Sequence, residues 1–260
     1  MRVLVTGASG TLGRKVVPHL VAAGHEVRAM SRRPRPGGDG VEWVVADLGA
    51  GTGVDLAVTG VDAVVHLASA TRSFDARVDV AGTRRLVTDS AEAGVRHLLY
   101  VSIVGIDEVP LRYYRLKLAA ERIVTTGEVP WSVLRATQFP QLLDGMLRVA
   151  GRLGPVFGDR AMLVQPVDPG DVAGRIADRL VAGPGRTIEE YGGPQVLRYD
   201  EAVAAWSVAR GRRRSLLSIR VPGRFGRAVR AGGLTTTATP TGSRTWADYL
   251  ADTYGGSARK

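Results

Sequence analysis

The chain has 260 residues, 45% hydrophobic and 23% charged, a globular profile with room for one large core or for a core plus a smaller lobe. No cysteine is present, which excludes disulfides and cysteine-ligated metals, and the four histidines (His19, His25, His66, His97) show no ligand spacing, so no metal is expected. The net charge of +10 rests on arginine, with only Lys15, Lys117 and Lys260 as lysine among 35 basic residues. The densest basic run, Arg210-Gly211-Arg212-Arg213-Arg214 followed by Arg220, Arg224, Arg227 and Arg230, lacks the interleaved aromatics of a single-strand platform, so no nucleic-acid partner is expected. Met1 leads straight into Val3-Leu4-Val5 without a basic n-region, and no apolar stretch approaches ~18 residues. A cytoplasmic protein with no membrane span is the expectation.

In chain order, the first predicted strand is Val3–Thr6, running into Gly7, Gly10 and Gly13 and then a helix over 11–24. Glycines there let the backbone turn tightly and approach a diphosphate lying on the amides of the helix start. The second strand, Glu26–Met30, ends in Ser31, Arg32 and Arg33. An NAD site puts an acid at this point, whereas arginine suits a 2′-phosphate, which favours NADP(H) over NAD(H). The third strand, Glu42–Ala46, is followed by Asp47-Leu48, and the fourth, Asp62–Ala68, carries "HLAS" at 66–69. His66 reads as a satisfied strand histidine. A helix over 76–94 precedes the fifth strand, His97–Ser102. The next helix, 112–127, contains "YYRLK", in which Tyr113 and Lys117 share a face and Tyr114 lies at i,i+3 from the lysine. The sixth strand is Trp131–Ala136. Apolar strands separated by helices predict an α/β fold, a doubly wound parallel sheet covered on both faces.

Beyond residue 137 the alternation breaks down. Helices are predicted near 138–150, 168–182, 200–209 and 222–231, with short strands near 161–165, 187–191 and 216–220, a polar loop over 234–243 and a last helix from Thr245 to Thr253. The expected division is a cofactor-binding core over 1–136 and, over 137–260, mainly a substrate-binding lobe with some elements returning to the core. Neither a Gly-x-Ser-x-Gly elbow nor a Walker A loop is present.

The Gly-x-x-Gly-x-x-Gly spacing of "VLVTGASGTLGRKVV", together with "YYRLKLAAE" and "VLRATQF", resembles the short-chain dehydrogenase/reductase superfamily. The closest likeness is to its atypical and extended branches, in the NmrA-like NAD(P)H-binding group. That resemblance implies a Rossmann fold with Gly7, Ser9, Gly10, Thr11, Leu12 and Gly13 at the cofactor's phosphates and Arg32 and Arg33 at the adenosine ribose. Asp47 and Leu48 would lie against the adenine, although Asp47 also reads as a helix N-cap. Leu67, Ala68 and Ser69 would follow the ribose and diphosphate, and Thr137 and Gln138 the nicotinamide end.

The same resemblance makes Tyr113, Lys117 and Ser102 the catalytic set. Lys117 would bind the nicotinamide ribose and lower the Tyr113 pKa, Tyr113 would give up a proton, and Ser102 would hold the substrate oxygen. Tyr114 is the alternative phenol and a substrate contact. Glu121 falls one turn after Lys117, as in many extended members. Extended members end the fifth strand with consecutive hydroxyl residues, where Val101-Ser102-Ile103 supplies one. Phe139 and Leu142, with Leu143 and Met146, either line a substrate pocket or pack a helix into a core, and Asp171 reads as an N-terminal helix charge. The implied activity is NADP(H)-dependent reduction of a carbonyl, quinone or activated double bond in a small apolar molecule, by a monomer or homodimer. Two alternatives stand beside it: a non-catalytic NADP(H) sensor, and a non-redox dehydratase, epimerase or rearrangement enzyme.

Overall fold

The computed structural model describes residues 1–38, 40–70, 74–152, 154–211 and 214–255; Arg212 and Arg213 of the basic run, and Lys260, lie outside the described residues. From the amino terminus the chain forms β1 (Arg2–Thr6), α1 (Gly13–Ala22), β2 (Glu26–Ser31), β3 (Val41–Val45), α2 (Val54–Val58), β4 (Ala63–His66), a π-helical segment (Arg77–Gly82), α3 (Thr83–Glu92), β5 (His97–Ile103), α4 (Arg112–Thr125) and β6 (Trp131–Ala136). It continues through α5 (Pro140–Ala150), β7 (Val156–Gly158), β8 (Leu163–Val164), α6 (Pro169–Ala182), β9 (Ile188–Tyr191), β10 (Leu197–Arg198), α7 (Tyr199–Ala209), β11 (Leu216–Ser218), α8 (Gly223–Arg230) and α9 (Trp246–Tyr254).

Seven of the strands form one sheet in the order β3-β2-β1-β4-β5-β6-β9. β1 pairs in parallel with both β2 and β4, so that Val3 stands opposite Val27 on one side and Ala63 on the other. The chain winds outward from β1 to β3 and then from β4 to β6, which puts the topological switch point between β1 and β4. In such sheets ligands bind in the crevice at that point, outside the carboxyl ends of the strands. The central strands are buried on both faces, as their near-continuous apolar runs require. One layer of the core packs Leu4, Val64, Leu98, Tyr100 and Val133 of the sheet on Leu86 of α3 and Ala120 and Val124 of α4. This is the doubly wound Rossmann-type α/β fold that the strand–helix alternation predicts.

Two compact units are resolved: Met1–Ser102 with Arg112–Arg135 and Val172–Glu189, and Ile103–Leu111 with Ala136–Asp171 and Glu190–Lys260. The second unit has its own core, in which Leu143 and Leu147 of α5 meet Tyr199, Val203 and Trp206 of α7 and Trp246 and Leu250 of α9. Buried Asp144 ties these helices together, accepting hydrogen bonds from the Trp206 indole (2.8 Å) and the Tyr254 phenol (2.6 Å).

Several elements differ from the sequence expectation. The helix expected over 76–94 opens as the wider π segment before α3, β4 stops at His66, and the strand near 187–191 is the seventh member of the central sheet. The five residues of α2 lie between glycines, and β7 and β10 have three and two residues, all too short to show a period. Among the described residues no helix is long and apolar enough to cross a membrane.

Candidate functional site at the switch point

The loop after β1 has a shape that only glycine allows. Gly7 has φ +66°, and a Cβ on it would come within 2.8 Å of the Ala68 nitrogen, in the segment that follows β4. A Cβ on Gly13 would run into the Gly7 carbonyl oxygen, so α1 starts directly beneath the turn. No side chain caps α1 and no acidic residue sits in its first turn, so its own residues do not offset the positive helix end. The floor of the crevice is stitched across the switch point by Thr6 and His66. The Thr6 hydroxyl is 2.7 Å from His66 Nδ1 and accepts from the amides of Leu67 and Ala68.

At the rim, Arg32 and Arg33 follow β2 and are exposed, and neither guanidinium has a side-chain partner among the described residues. Arg35 lies against the Trp43 ring, 5.0 Å from its centroid. Beyond β3, Asp47 caps a turn rather than a helix, its carboxylate accepting from the amides of Gly49 (2.8 Å) and Ala50 (3.3 Å). Leu48 is buried against the π segment, close enough that a Cβ on Gly82 would lie 2.8 Å from the Leu48 Cβ. A separate cleft of about 320 Å³, lined by Arg2, Glu26, Val41 and Glu42 among others, opens at the amino ends of β1–β3 and holds none of these residues.

The polar side chains between β4, β5 and α4 form a connected set. His66 is fully buried, and Nε2 lies 2.9 Å from the Thr83 hydroxyl, which itself donates to the Asp79 carbonyl. Thr83 therefore accepts from Nε2–H, and Nδ1 accepts from Thr6, which fixes a neutral imidazole. Burial, with the Lys117 charge adding to it, pushes the His66 pKa down to about 3. The unfolded chain takes a proton at this histidine below pH 6.5 while the folded chain refuses it, so stability falls as pH drops from 6.5 toward 3. At pH 5 the expected loss from His66 is about 2 kcal/mol relative to pH 7. Urea unfolding at the two pH values checks this, and His66→Asn should show a shallower pH dependence.

Lys117 is buried on α4; its ammonium donates to the Val101 carbonyl at 2.9 Å and lies 4.1 Å from the centroid of the Tyr100 ring. Burial pushes it down to about 8, against the opposing pull of Asp79 and Glu121. One turn on, Glu121 forms a buried two-point ion pair with Arg135 of β6, at 2.7 and 3.2 Å. The Tyr113 phenol is 2.8 Å from the Ser69 hydroxyl, and Ser69 donates to the buried carboxylate of Asp79. The family likeness implies a phenol lowered by lysine, and here the structure differs. Burial raises Tyr113 to about 12, Ser69 draws it down and Asp79 pushes it up, while the Lys117 ammonium is directed at Val101 and the Tyr100 ring. Tyr114 is likewise raised to about 12, by burial alone. Ser102 is buried with its hydroxyl unpaired among the described residues, and the hydroxyl that meets Tyr113 comes from the segment after β4 and not from β5.

In the second unit, the Thr137 hydroxyl is buried and also unpaired among the described residues. The Gln138 amide, oriented to donate to the Leu234 carbonyl (3.1 Å) and accept from the Gln165 amide (2.9 Å), serves its own unit's backbone. The apolar residues of α5 divide between two environments. Leu143 is core, while Leu142 and Met146, 58% and 55% exposed, share an open face with Val149. Phe139 is half-buried just before the helix. Asp171 sits in the first turn of α6 and accepts from the Ser243 amide, the Ser243 hydroxyl and the Arg244 amide at 2.8–3.0 Å.

Residues 7–162 match the family described as NAD(P)H-binding. Over 221 residues, 81% of this chain and 74% of the other, the protein is 34% identical to (4-alkanoyl-5-oxo-2,5-dihydrofuran-3-yl)methyl phosphate reductase of Streptomyces griseus. The chain belongs to the NAD(P)H-binding family. Its fold is shared with an NADPH-dependent quinone oxidoreductase from Escherichia coli (TM-score 0.79, 17% identity, 97% of this chain and 99% of that one). It is shared equally with MoeE5, solved with UDP-glucuronic acid and NAD (TM-score 0.75, 22% identity, 100% and 99%). This NAD(P)H-binding protein thus has a fold found both in a protein named as NADPH-dependent and in one solved with NAD.

The residues fit such a cofactor: a backbone cradle that a Cβ would fill, an uncapped helix end, and two exposed arginines at the β2 rim. Sequence reasoning missed Asp79 and Arg135. Asp79 stands at i, i+3, i+4 and i+7 with Gly82, Thr83 and Leu86, an acid on an otherwise buried stripe, and Arg135 interrupts an apolar strand. In both cases the charge within a buried pattern was the available signal.

Proposed function

We propose that the protein is an NADPH-dependent reductase acting on a carbonyl, quinone or activated double bond of a small apolar molecule, working in the cytoplasm as a monomer or homodimer. The observation that carries this reading is Lys117, a buried cation held on the Val101 carbonyl of β5, one helix turn from Tyr113, whose phenol meets the Ser69 hydroxyl. When bound, the dinucleotide supplies a hydride. The amides around Gly7–Gly13 would receive its diphosphate, Arg32 and Arg33 its 2′-phosphate, and Lys117 the hydroxyls of its nicotinamide ribose. Tyr113, or a water ordered beside it, gives the matching proton to the substrate. On α5, the open apolar face of Leu142, Met146 and Val149 is one on which an apolar molecule would rest. The Streptomyces relative's name describes reduction of a phosphorylated oxo-dihydrofuran, which agrees with an activated double bond.

The test is NADPH oxidation against a panel of quinones, ketones and butenolides, with NADH in parallel. Turnover with NADPH is expected. In Arg32→Ala/Arg33→Ala, NADPH should bind about 10-fold or more weakly, the scale of losing a charge-assisted pair, with NADH little changed. Equal losses for both dinucleotides would sink the NADP(H) assignment. One observation favours a second reading, a cofactor-binding sensor without turnover: the Tyr113 hydrogen bonds inward to Ser69, and its phenol is a weak acid. Tight NADPH binding with no turnover on any panel member would establish that reading.

A further inference from the structure

The hydrogen-bond directions around Ser69 follow from Asp79. One carboxylate oxygen of Asp79 accepts from the Ala70 amide at 3.1 Å and the other from the Ser69 hydroxyl. A carboxylate has only acceptors to offer, so the Ser69 hydrogen lies on the Asp79 side. Ser69 is then left with lone pairs toward Tyr113, and the phenol at 2.8 Å must donate to it. Asp79 is itself held at its other end, where its carbonyl accepts from Thr83, whose hydroxyl in turn accepts from His66. The π segment brings this about. Its wider turn buries Asp79 and Gly82, and the absence of a Cβ on Gly82 lets the segment close onto Leu48.

We propose that Asp79, acting through Ser69, is a positioning residue that keeps the Tyr113 hydroxyl hydrogen turned toward Ser69 and so governs when Tyr113 releases it. The inference rests on Tyr113 facing substrate as proposed above. With Tyr113 neutral, Ser69 donates to Asp79 and Tyr113 donates to Ser69. For the phenol to protonate a substrate oxygen, its hydrogen must swing from Ser69 to that oxygen. The O–H bond of Tyr113 then breaks as the new O–H bond on the substrate forms. Ser69 can meet the resulting phenolate only by turning its own hydrogen away from Asp79. Asp79 and the phenolate therefore compete for one hydrogen, and the nearby negative charge opposes proton release.

Among the described residues, the charged and titratable groups around this unit are Tyr113, Tyr114, Lys117 and Glu121 of α4, Tyr100 of β5, and, through Thr83, His66 of β4. The two partners pull in opposite directions: Ser69 eases ionisation of Tyr113 once its hydrogen turns to the phenolate, and the Asp79 charge resists it. A role limited to packing would not produce opposite signs.

The experiment is ¹⁹F NMR of protein labelled with 3-fluorotyrosine, in which fluorine brings phenol ionisation down into the range where the fold persists. The Tyr113 resonance is the one lost in Tyr113→Phe, and Tyr100→Phe assigns its neighbour. In Asp79→Asn the Tyr113 midpoint should fall by about one unit or more, the scale of removing a like charge close by. In Ser69→Ala it should rise. Midpoints that stay put, or that move in the same direction in both variants, overturn the proposal. If Asp79→Asn does not fold, Ser69→Ala decides, and an unchanged or lowered midpoint there is fatal. The titration needs no substrate, so failure of the reductase reading would show in the turnover of Tyr113→Phe and failure of this inference in the midpoints.

Discussion

Lys117→Met is expected to lower kcat/KM for NADPH-dependent reduction by about 10²–10³-fold, the scale of losing one preorganised donor in a water-poor site. The same change should leave the folded protein at least as stable at neutral pH. The wild-type ammonium is fully buried, with a folded pKa of about 8 against an unfolded value of 10.5. Between those two values the unfolded chain binds more protons than the folded chain, so wild-type stability rises as pH is raised from 8 toward 10.5. Below about 8 the cost of the buried charge is fully in force, and the methionine variant escapes it. Thermal unfolding of the two proteins from pH 7 to pH 10 should therefore show the variant ahead at low pH and the gap closing as pH rises. A variant that is inactive yet no less stable is the signature of a group kept for function. An inactive variant that also melts early at pH 7 would mean that Lys117 chiefly holds α4 onto Val101.

How much of this could be read in the sequence depends on the range over which each feature is determined. The glycine loop was legible because its requirement is local: Gly7 needs a positive φ and Gly13 lies under the turn that Gly7 makes. Lys117 was legible because an i,i+4 spacing fixes a helix face, and the arginines after β2 because a strand end is a fixed place in this topology. The partner of Tyr113 was not legible. Ser69 is 44 residues away and meets the phenol from the segment that follows β4, which stops at His66. Ser102, chosen by family likeness, lies on β5 with no partner among the described residues. The π segment has no period of its own to read, so the helix pattern gave its place and hid its width. Arg135 carried a signal as a charge in the run "WSVLRA", yet its partner Glu121 was noted only for standing a turn beyond Lys117.

Arg135→Met is expected to destabilise the fold by about 3–5 kcal/mol, because it leaves the Glu121 carboxylate buried without its main counter-charge. Glu121→Gln should also destabilise the fold, because it takes the carboxylate away from the buried guanidinium. The pair holds at 2.7 and 3.2 Å with both side chains almost wholly buried, so solvent cannot replace either partner. Replacing both with apolar residues, in Glu121→Leu/Arg135→Met, should cost less in urea unfolding than either single change, since both desolvation costs disappear together. Function would not be neutral. Glu121 is one of two carboxylates that hold the Lys117 ammonium up against its burial, so the double variant lowers that pKa further below its ordinary range. NADPH affinity should then begin to fall at a lower pH than in the wild type, which fluorescence titration across pH 6 to 9 would show. Stable protein with that displaced profile would mean that the ion pair is kept for the charge state of Lys117, and that its contribution to folding is secondary. A double variant with an unmoved profile would assign the pair to packing between α4 and β6.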